Sequence, residues 1–225
     1  MTTSVILLAG GTGTRMKSQV PKQFMPLKNK PIIQYSFDTF MECPLIAEVV
    51  VVVAKEYQHL FKRKKTGPLL TFAEPGIRRQ DSVENGFMKL SSNSSIVCIH
   101  DGARPFVTQP MIQRSIEAAQ EYGAATVGMP VKYTVKETNS QQLVTNTPDR
   151  SYVWEIQTPQ AIRHELLKKG LDHAKKHQIT VTDDVSFVEL INHPVKIVEG
   201  CYSNIKITTP EDFILSEIFV NAKKL

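Results

Sequence analysis

Gly10, Gly11 and Gly13 put three glycines within four positions, directly after the apolar run Val5-Ile6-Leu7-Leu8. Backbone without Cβ atoms leaves its N–H groups uncovered, so a polyphosphate could approach Ala9, Gly10, Gly11, Thr12 and Gly13 closely. Arg15 and Lys22 follow on the same loop, seven positions apart. Phosphoryl and nucleotidyl transfer build negative charge on equatorial oxygens, and fixed cations beside a glycine turn suit that chemistry. Two better-known phosphate loops do not fit. Arg15-Met16-Lys17 stands where a Walker A loop needs Gly-Lys-Ser/Thr, and Met16 stands where the dinucleotide fingerprint needs a small residue. The glycines alone also fit a plain tight turn and the cations alone ordinary surface charge; their combination points to nucleotide phosphates.

Other residues could serve the same chemistry. Asp101 and Arg104 follow the apolar run Ile96-Val97-Cys98-Ile99. A carboxylate at the carboxyl end of a strand can bind ribose hydroxyls or help position Mg²⁺, and an arginine there can bind anions. Such a pair is equally a structural salt bridge. His100 has no proton to move in this chemistry and is expected to be structural. Asp81 and Ser82 are both good helix caps.

These groups need elements to hold them. Ser4–Leu8, Glu48–Val53, Leu69–Phe72, Ile96–His100 and Ala124–Met129 read as strands. Pro31–Met41, Glu56–Lys64, Ser82–Leu90 and Pro110–Tyr122 read as helices, with Val83, Phe87 and Leu90 on one face. Continuous apolar strands alternating with helices predict an α/β fold, a Rossmann-like three-layer sandwich around a mostly parallel twisted sheet. In such sheets ligands bind at the carboxyl ends of strands, where the glycine loop lies. The polar stretch Val131–Asp149 breaks the rhythm. Thr134, Val135, Leu143 and Val144 flank Asn139-Ser140-Gln141-Gln142, which predicts a projecting two-stranded β-arm over about 131–150. An isolated hairpin is marginal in water, so the arm is expected to pack on something, such as a second subunit. Leu167, Leu171 and Ala174 mark a further helix, Thr182-Asp183 can cap one running through Glu189, and Pro210-Glu211-Asp212 opens the last.

Composition narrows the class. The 225 residues, 41% hydrophobic and 22% charged, suffice for one sizeable core, so 1–225 is expected to be a single domain. No run approaches the roughly 20 apolar residues of a membrane helix, and the N-terminal apolar run, without a basic flank, reads as a strand and not a signal peptide. Cys43, Cys98 and Cys201 match no zinc or disulfide pattern, and a reduced, cytoplasmic protein is expected. Cys98, inside an apolar run, is expected to be a buried hydrophobe. The net charge of +5 suggests an anionic partner, nucleic acid or a nucleotide. The run Lys62-Arg63-Lys64-Lys65 reads as a solvated helix end.

Leu8-Ala9-Gly10-Gly11-Thr12-Gly13-Thr14-Arg15-Met16 with Pro21-Lys22-Gln23-Phe24 resembles the signature of sugar-phosphate cytidylyltransferases, in particular the 2-C-methyl-D-erythritol 4-phosphate cytidylyltransferase family and its relatives acting on ribitol 5-phosphate. Further stretches agree from residue 5 to about 215. Arg79-Gln80-Asp81-Ser82-Val83 resembles the family's Arg-x-x-Ser-Val segment, which implies recognition of cytosine by Ser82 and nearby backbone such as Gly76. His100-Asp101-Gly102-Ala103-Arg104-Pro105 resembles its His-Asp-x-x-Arg-Pro motif. Arg150…Trp154…Thr158-Pro159-Gln160 and Asn204-Ile205-Lys206-Ile207-Thr208 resemble its later motifs. The resemblance implies that Arg150 and Lys206 grip the acceptor's phosphate, with Arg104, Thr134 and Thr158 also in the acceptor site. Trp154 is expected mainly to pack. One departure stands out: Tyr133-Thr134 occupies the arm's start where the family usually has Asp-Thr.

Taken together, the resemblance implies transfer of CMP from CTP to a phosphorylated sugar alcohol, a step of isoprenoid precursor biosynthesis by the non-mevalonate route. It also implies Mg²⁺ held mainly by the CTP phosphates, with Asp101 a candidate to help position it, and a homodimer formed through the arm. Three features favour the methylerythritol branch over ribitol: the Arg15–Lys22 spacing, the Asp149-Arg150…Trp154 stretch and Thr182-Asp183-Asp184. A nucleotide- or RNA-binding protein without turnover is the non-enzyme alternative. No RNA-binding aromatic motif supports it, so neither nucleic acid nor membrane is an expected partner.

Overall fold

Three residues of the first strand show why this chain folds in layers. Val5 and Leu7 point one way and Ile6 the other, and all three are completely buried, so the sheet must be covered on both faces. The computed structural model describes residues 2–11, 20–63 and 65–222. The chain runs through β1 (Thr2–Leu8), the short pair β2 (Pro26–Leu27) and β3 (Lys30–Pro31), α1 (Ile32–Met41), β4 (Ile46–Val52), β5 (Leu69–Ala73), α2 (Arg79–Phe87), β6 (Ser94–Asp101), α3 (Gln109–Tyr122) and β7 (Ala124–Pro130). A small hairpin follows, β8 (Glu137–Thr138) with β9 (Val144–Asn146). After it come β10 (Trp154–Arg163), α4 (His164–Lys176), α5 (Ser186–Glu189), β11 (Lys196–Glu199) and α6 (Pro210–Ala222).

The central seven-stranded sheet has the order β11-β7-β10-β6-β1-β4-β5. Its neighbours are parallel except around β10, which is antiparallel to both β6 and β7. On one face Val5, Leu7, Val49 and Val51 pack with Phe37 and Phe40 of α1 and Ile112 and Ile116 of α3. On the other, Ile6, Val50 and Val52 meet Val83 of α2 and Leu167 and Leu171 of α4. This is the expected α/β three-layer arrangement. Phe40 is fully buried, and truncating such a ring to Ala costs about 3–5 kcal/mol. A smaller cluster of Leu27, Ile32, Phe106, Ile207 and Val220 ties α6 to the body.

Several expectations need correction. The helix expected over Glu56–Lys64 does not form in its described residues: Lys55–Leu60 forms 3-10 turns, and Phe61 after them is extended. No side chain of those turns is buried, so no apolar stripe holds a longer helix. Lys62, Arg63 and Lys65 are solvated as expected but lie in irregular chain, and Lys64 falls outside the described residues. α2 begins earlier than Ser82. The Asp81 carboxylate accepts the Arg78 N–H at 2.9 Å, closing the first turn from its third position. β10 and β11 had no counterpart among the expected strands. Pro159 lies within β10, and a proline argues against a central strand; here the pairing with β7 is irregular between Ile156 and Gln160. Asp183 accepts the Ser186 N–H at 3.1 Å ahead of α5, as a cap should. Asp212 likewise accepts the N–H groups of Thr208 and Thr209 at the start of α6.

The arm forms where expected, with a short ladder. From Lys132 to Thr147 every residue is exposed except Val135, which is half-buried. The Asn139 side chain closes the hairpin turn by accepting the N–H groups of Gln141 and Leu143, each at 3.0 Å.

Candidate active site

β1, β5 and β6 all end on the same edge of the sheet, and their following loops enclose a cleft of about 560 Å³. Gly10 and Gly11 come from the loop after β1, Gly76 from the loop after β5, Ser82 from the first turn of α2, Asp101 from the end of β6, and Lys22 and Lys206 from more distant segments. Two glycines make the closure possible. A Cβ on Gly10 would lie 2.4 Å from Pro75 Cβ, and one on Gly76 would lie 2.3 Å from Asp81 Cβ. Any side chain there would push these loops apart.

Gln23 fixes the glycine loop to the turn carrying Lys22. Its Nε2 donates to the carbonyls of Ala9 at 2.6 Å and Gly11 at 2.8 Å. That turn, Lys22–Phe24, is anchored by Phe24 stacked on Tyr57 with ring centroids 4.0 Å apart. Lys22 is thereby held against the cleft with its stem largely buried. Ser82 Oγ accepts the Gly76 N–H at 3.0 Å and donates to the Arg78 carbonyl at 3.3 Å, so it shapes the turn that it shares with the cleft.

Asp101 is the electrostatic centre. Its carboxylate meets Lys206 Nζ at 2.8 Å, Arg79 at 3.1 Å and Arg104 Nε at 3.6 Å. Burial opposes its charge, yet Arg79, Lys206 and Arg104 together hold its carboxyl far below the usual range. It is a fixed anion on the cleft wall. Arg79 also makes a two-point ion pair with Asp184, Nη1 to Oδ1 at 2.5 Å and Nη2 to Oδ2 at 2.7 Å. Burial disfavours the Arg79 charge, but Asp184 and Asp101 raise its pKa above the ordinary value. Asp184 is fully buried, and its N–H and that of Val185 are accepted by Gln160 Oε1 at 2.7 Å and 3.0 Å.

The remaining expected site residues are placed differently. Arg104 turns inward, donating to the Asn204 carbonyl at 2.9 Å and the Ile156 carbonyl at 3.4 Å. Thr158 is buried behind Asp101, its Oγ1 accepting the Asp101 N–H at 3.2 Å and lying 2.9 Å from His100 Nδ1. Both support the cleft from behind and neither lines it. Ala9 donates its N–H to Val52 O at 2.9 Å and does not line the cleft either. Thr134 and Arg150 are exposed on the arm and at its return, away from the cleft lining. Thr12, Gly13 and Arg15 lie outside the described residues. His100 and Cys98 are buried as expected. Sequence reasoning gave no role to Arg79, Gln23, Asp184 or Gln160, although each stands inside or beside a quoted motif.

Among the described residues no three His, Cys, Asp or Glu side chains cluster as a metal cage. An ionised Asp101 on the cleft wall fits a different arrangement, in which a hard cation takes most of its ligands from nucleotide phosphates and at most one from protein.

A family model described as 2-C-methyl-D-erythritol 4-phosphate cytidylyltransferase matches residues 3–222. A rice protein named as the chloroplastic form of that enzyme is 45% identical over 98% of this chain and 75% of its own length. One of the same name from Alkaliphilus oremlandii is 40% identical over 99% of this chain and 96% of its own. The crystal structure of 4-diphosphocytidyl-2C-methyl-D-erythritol synthase from Anaerococcus prevotii superposes with a TM-score of 0.86 at 29% identity, covering 98% of both chains. With a glycine loop, Lys22, Asp101 and Lys206 gathered on one cleft, and with matches of this extent, the chain belongs to the 2-C-methyl-D-erythritol 4-phosphate cytidylyltransferase family.

Proposed function

We propose that this enzyme transfers CMP from CTP to 2-C-methyl-D-erythritol 4-phosphate, giving 4-diphosphocytidyl-2-C-methyl-D-erythritol and pyrophosphate. The observation that carries this reading is the cleft where Gly10, Gly11 and Lys22 face Asp101 and Lys206. The glycine loop and Lys22 suit a triphosphate, the Gly76–Ser82 turn a base, and Lys206 an acceptor phosphate.

The mechanism follows from charge. The nucleophile is a phosphate oxygen of the acceptor, already ionised at neutral pH, so no general base is needed. The barrier lies in bringing two anions together. Lys22, with Arg15, stabilises negative charge gathering on the oxygens of the α-phosphate in the transition state. Lys206 and Arg150 hold the acceptor in line, making the step effectively unimolecular. Asp101 keeps Lys206 at the cleft wall before substrate arrives. When bound, Mg²⁺ would supply further charge neutralisation on the CTP phosphates, with Asp101 the residue that would assist in holding it.

Residues 1–225 act as one domain in this reading, and the arm pairs two copies. Tyr133, Leu143 and Val144 are largely exposed on it, a surface better covered by a second subunit. The three cysteines are unpaired, which supports a reducing cytoplasm. No described helix is long and apolar enough to cross a membrane.

The test is an assay of purified protein with CTP and Mg²⁺ against methylerythritol 4-phosphate and ribitol 5-phosphate in parallel. Pyrophosphate release that requires the acceptor separates an enzyme from a binding protein. A clearly higher kcat/KM with methylerythritol phosphate is expected; an equal or reversed ratio would move the enzyme to the ribitol branch.

A further inference from the structure

The loop between β11 and α6 begins beside the root of the arm and ends in the cleft. Gly200 N–H donates to Gly128 O at 2.9 Å, and Gln157 Nε2 donates to Cys201 O at 2.9 Å. Asn204 is fully buried, donating its N–H to Cys201 O and its amide to Thr158 O, each at 2.9 Å. Ile207 N–H then donates to Ala103 O at 2.9 Å. Residues 200–207 are therefore fastened at short intervals, which fixes the backbone position of Lys206 relative to the arm's root.

Tyr202 sits at the arm end of this loop. Its phenol donates to Pro130 O at 2.8 Å, where β7 gives way to the arm, and Lys132 Nζ lies 3.5 Å from its ring centre. Four residues later Lys206 reaches Asp101. The Tyr202 side chain is substantially exposed and belongs to none of the buried apolar clusters, so core packing does not account for its two contacts to the arm's root. Those contacts join the root of the exposed arm to the backbone that carries a cleft cation.

We propose that Tyr202 is a positioning residue that locks the root of the arm to the Lys206 loop, so that the arm's seating sets where Lys206 meets the acceptor phosphate. This rests on the reading of Lys206 as an acceptor-phosphate ligand. Lys132 strengthens the lock through its charge over the Tyr202 ring. The CTP side of the cleft, built on the loops after β1 and β5, lies outside this linkage.

The test is steady-state kinetics of the full-length enzyme with CTP, Mg²⁺ and methylerythritol 4-phosphate. Tyr202→Phe removes only the hydroxyl, Tyr202→Leu also removes the ring, and Lys206→Ala is the comparator. Tyr202→Phe should raise the acceptor KM roughly three- to ten-fold, as loss of one hydrogen bond allows, with the KM for CTP and the Tm nearly unchanged. Tyr202→Leu should raise it further. Proportional rises in both KM values with a falling Tm would mean a merely structural role and overturn the proposal. If Lys206→Ala raises the acceptor KM and neither Tyr202 variant does, the linkage is wrong and the Lys206 reading stands. An unchanged acceptor KM in Lys206→Ala overturns both.

Discussion

Arg79 and Asp184 are 105 residues apart in sequence and meet as a two-point ion pair, with Asp184 fully buried and Arg79 turning its remaining face to Asp101. Two carboxylates and one guanidinium are thus locked together at the cleft wall, joining α2, β6 and the segment before α5. Planar forks suit this geometry and a lysine would not.

Breaking that pair from one side should be costly. Arg79→Gln leaves Asp184 buried without a counter-charge, and a loss of roughly 3–5 kcal/mol is expected in urea unfolding. The double variant Arg79→Met with Asp184→Leu should be less destabilised than Arg79→Gln, because the unpaired charge of Asp184 is then gone and Asp101 keeps Lys206 and Arg104. A double variant at least as unstable as the single one would show that the pair contributes real net stability.

His100 makes stability depend on pH. Its Nε2 lies 3.0 Å from Arg104 O, which can only accept, so Nε2 carries the proton and Nδ1 accepts from Thr158 in the neutral ring. Burial pushes its pKa down from 6.5 to about 4. The unfolded chain therefore binds this proton first, and the stabilisation present above pH 6.5 is lost as the pH falls towards about 4. The loss attributable to this group is about 3 kcal/mol at most. Denaturant unfolding of wild type and His100→Gln between these limits checks it; an equally steep acid decline in the variant would assign the effect elsewhere.

Lys22 is expected to act mainly on transition-state charge. Lys22→Ala should lower kcat by roughly 10²–10³, about 3–4 kcal/mol, with a much smaller fall in CTP affinity. If the variant binds CTP poorly yet turns over normally at saturation, Lys22 supplies uniform binding instead.

Arg150 stands at the arm's return and outside the lining of its own chain's cleft, so it is expected to serve the partner's acceptor site. Mixing inactive Arg150→Ala with inactive Lys206→Ala protein should restore one composite site in each mixed dimer. Random exchange makes about half the dimers mixed, and recovery should approach about one quarter of wild-type activity per total site. Sedimentation must show a dimer and labelled chains must show exchange. Mixed dimers without activity would place Arg150 in its own chain's site.

The local patterns were legible from sequence because they are short-range. The unbroken apolar run Val5-Ile6-Leu7 and the apolar spacing through Ile112 and Ile116 required a sheet covered on both faces. The crowding of Gly10, Gly11 and Gly13 after a strand, taken with Arg15 and Lys22, pointed to nucleotide phosphates, and the polarity of Val131–Asp149 marked an arm. What required tertiary structure was every relationship between distant segments. Arg104 and Thr158 carry suitable chemistry for an acceptor site, yet they face the back of Asp101, because β10 slots antiparallel between β6 and β7 and brings their partners there. The Arg79–Asp184 pair and the three cations around Asp101 likewise depend on which loops the sheet order brings to one edge. A sequence records the charges, but their pairing is chosen by the desolvation that burial imposes, and burial is decided only when the layers close.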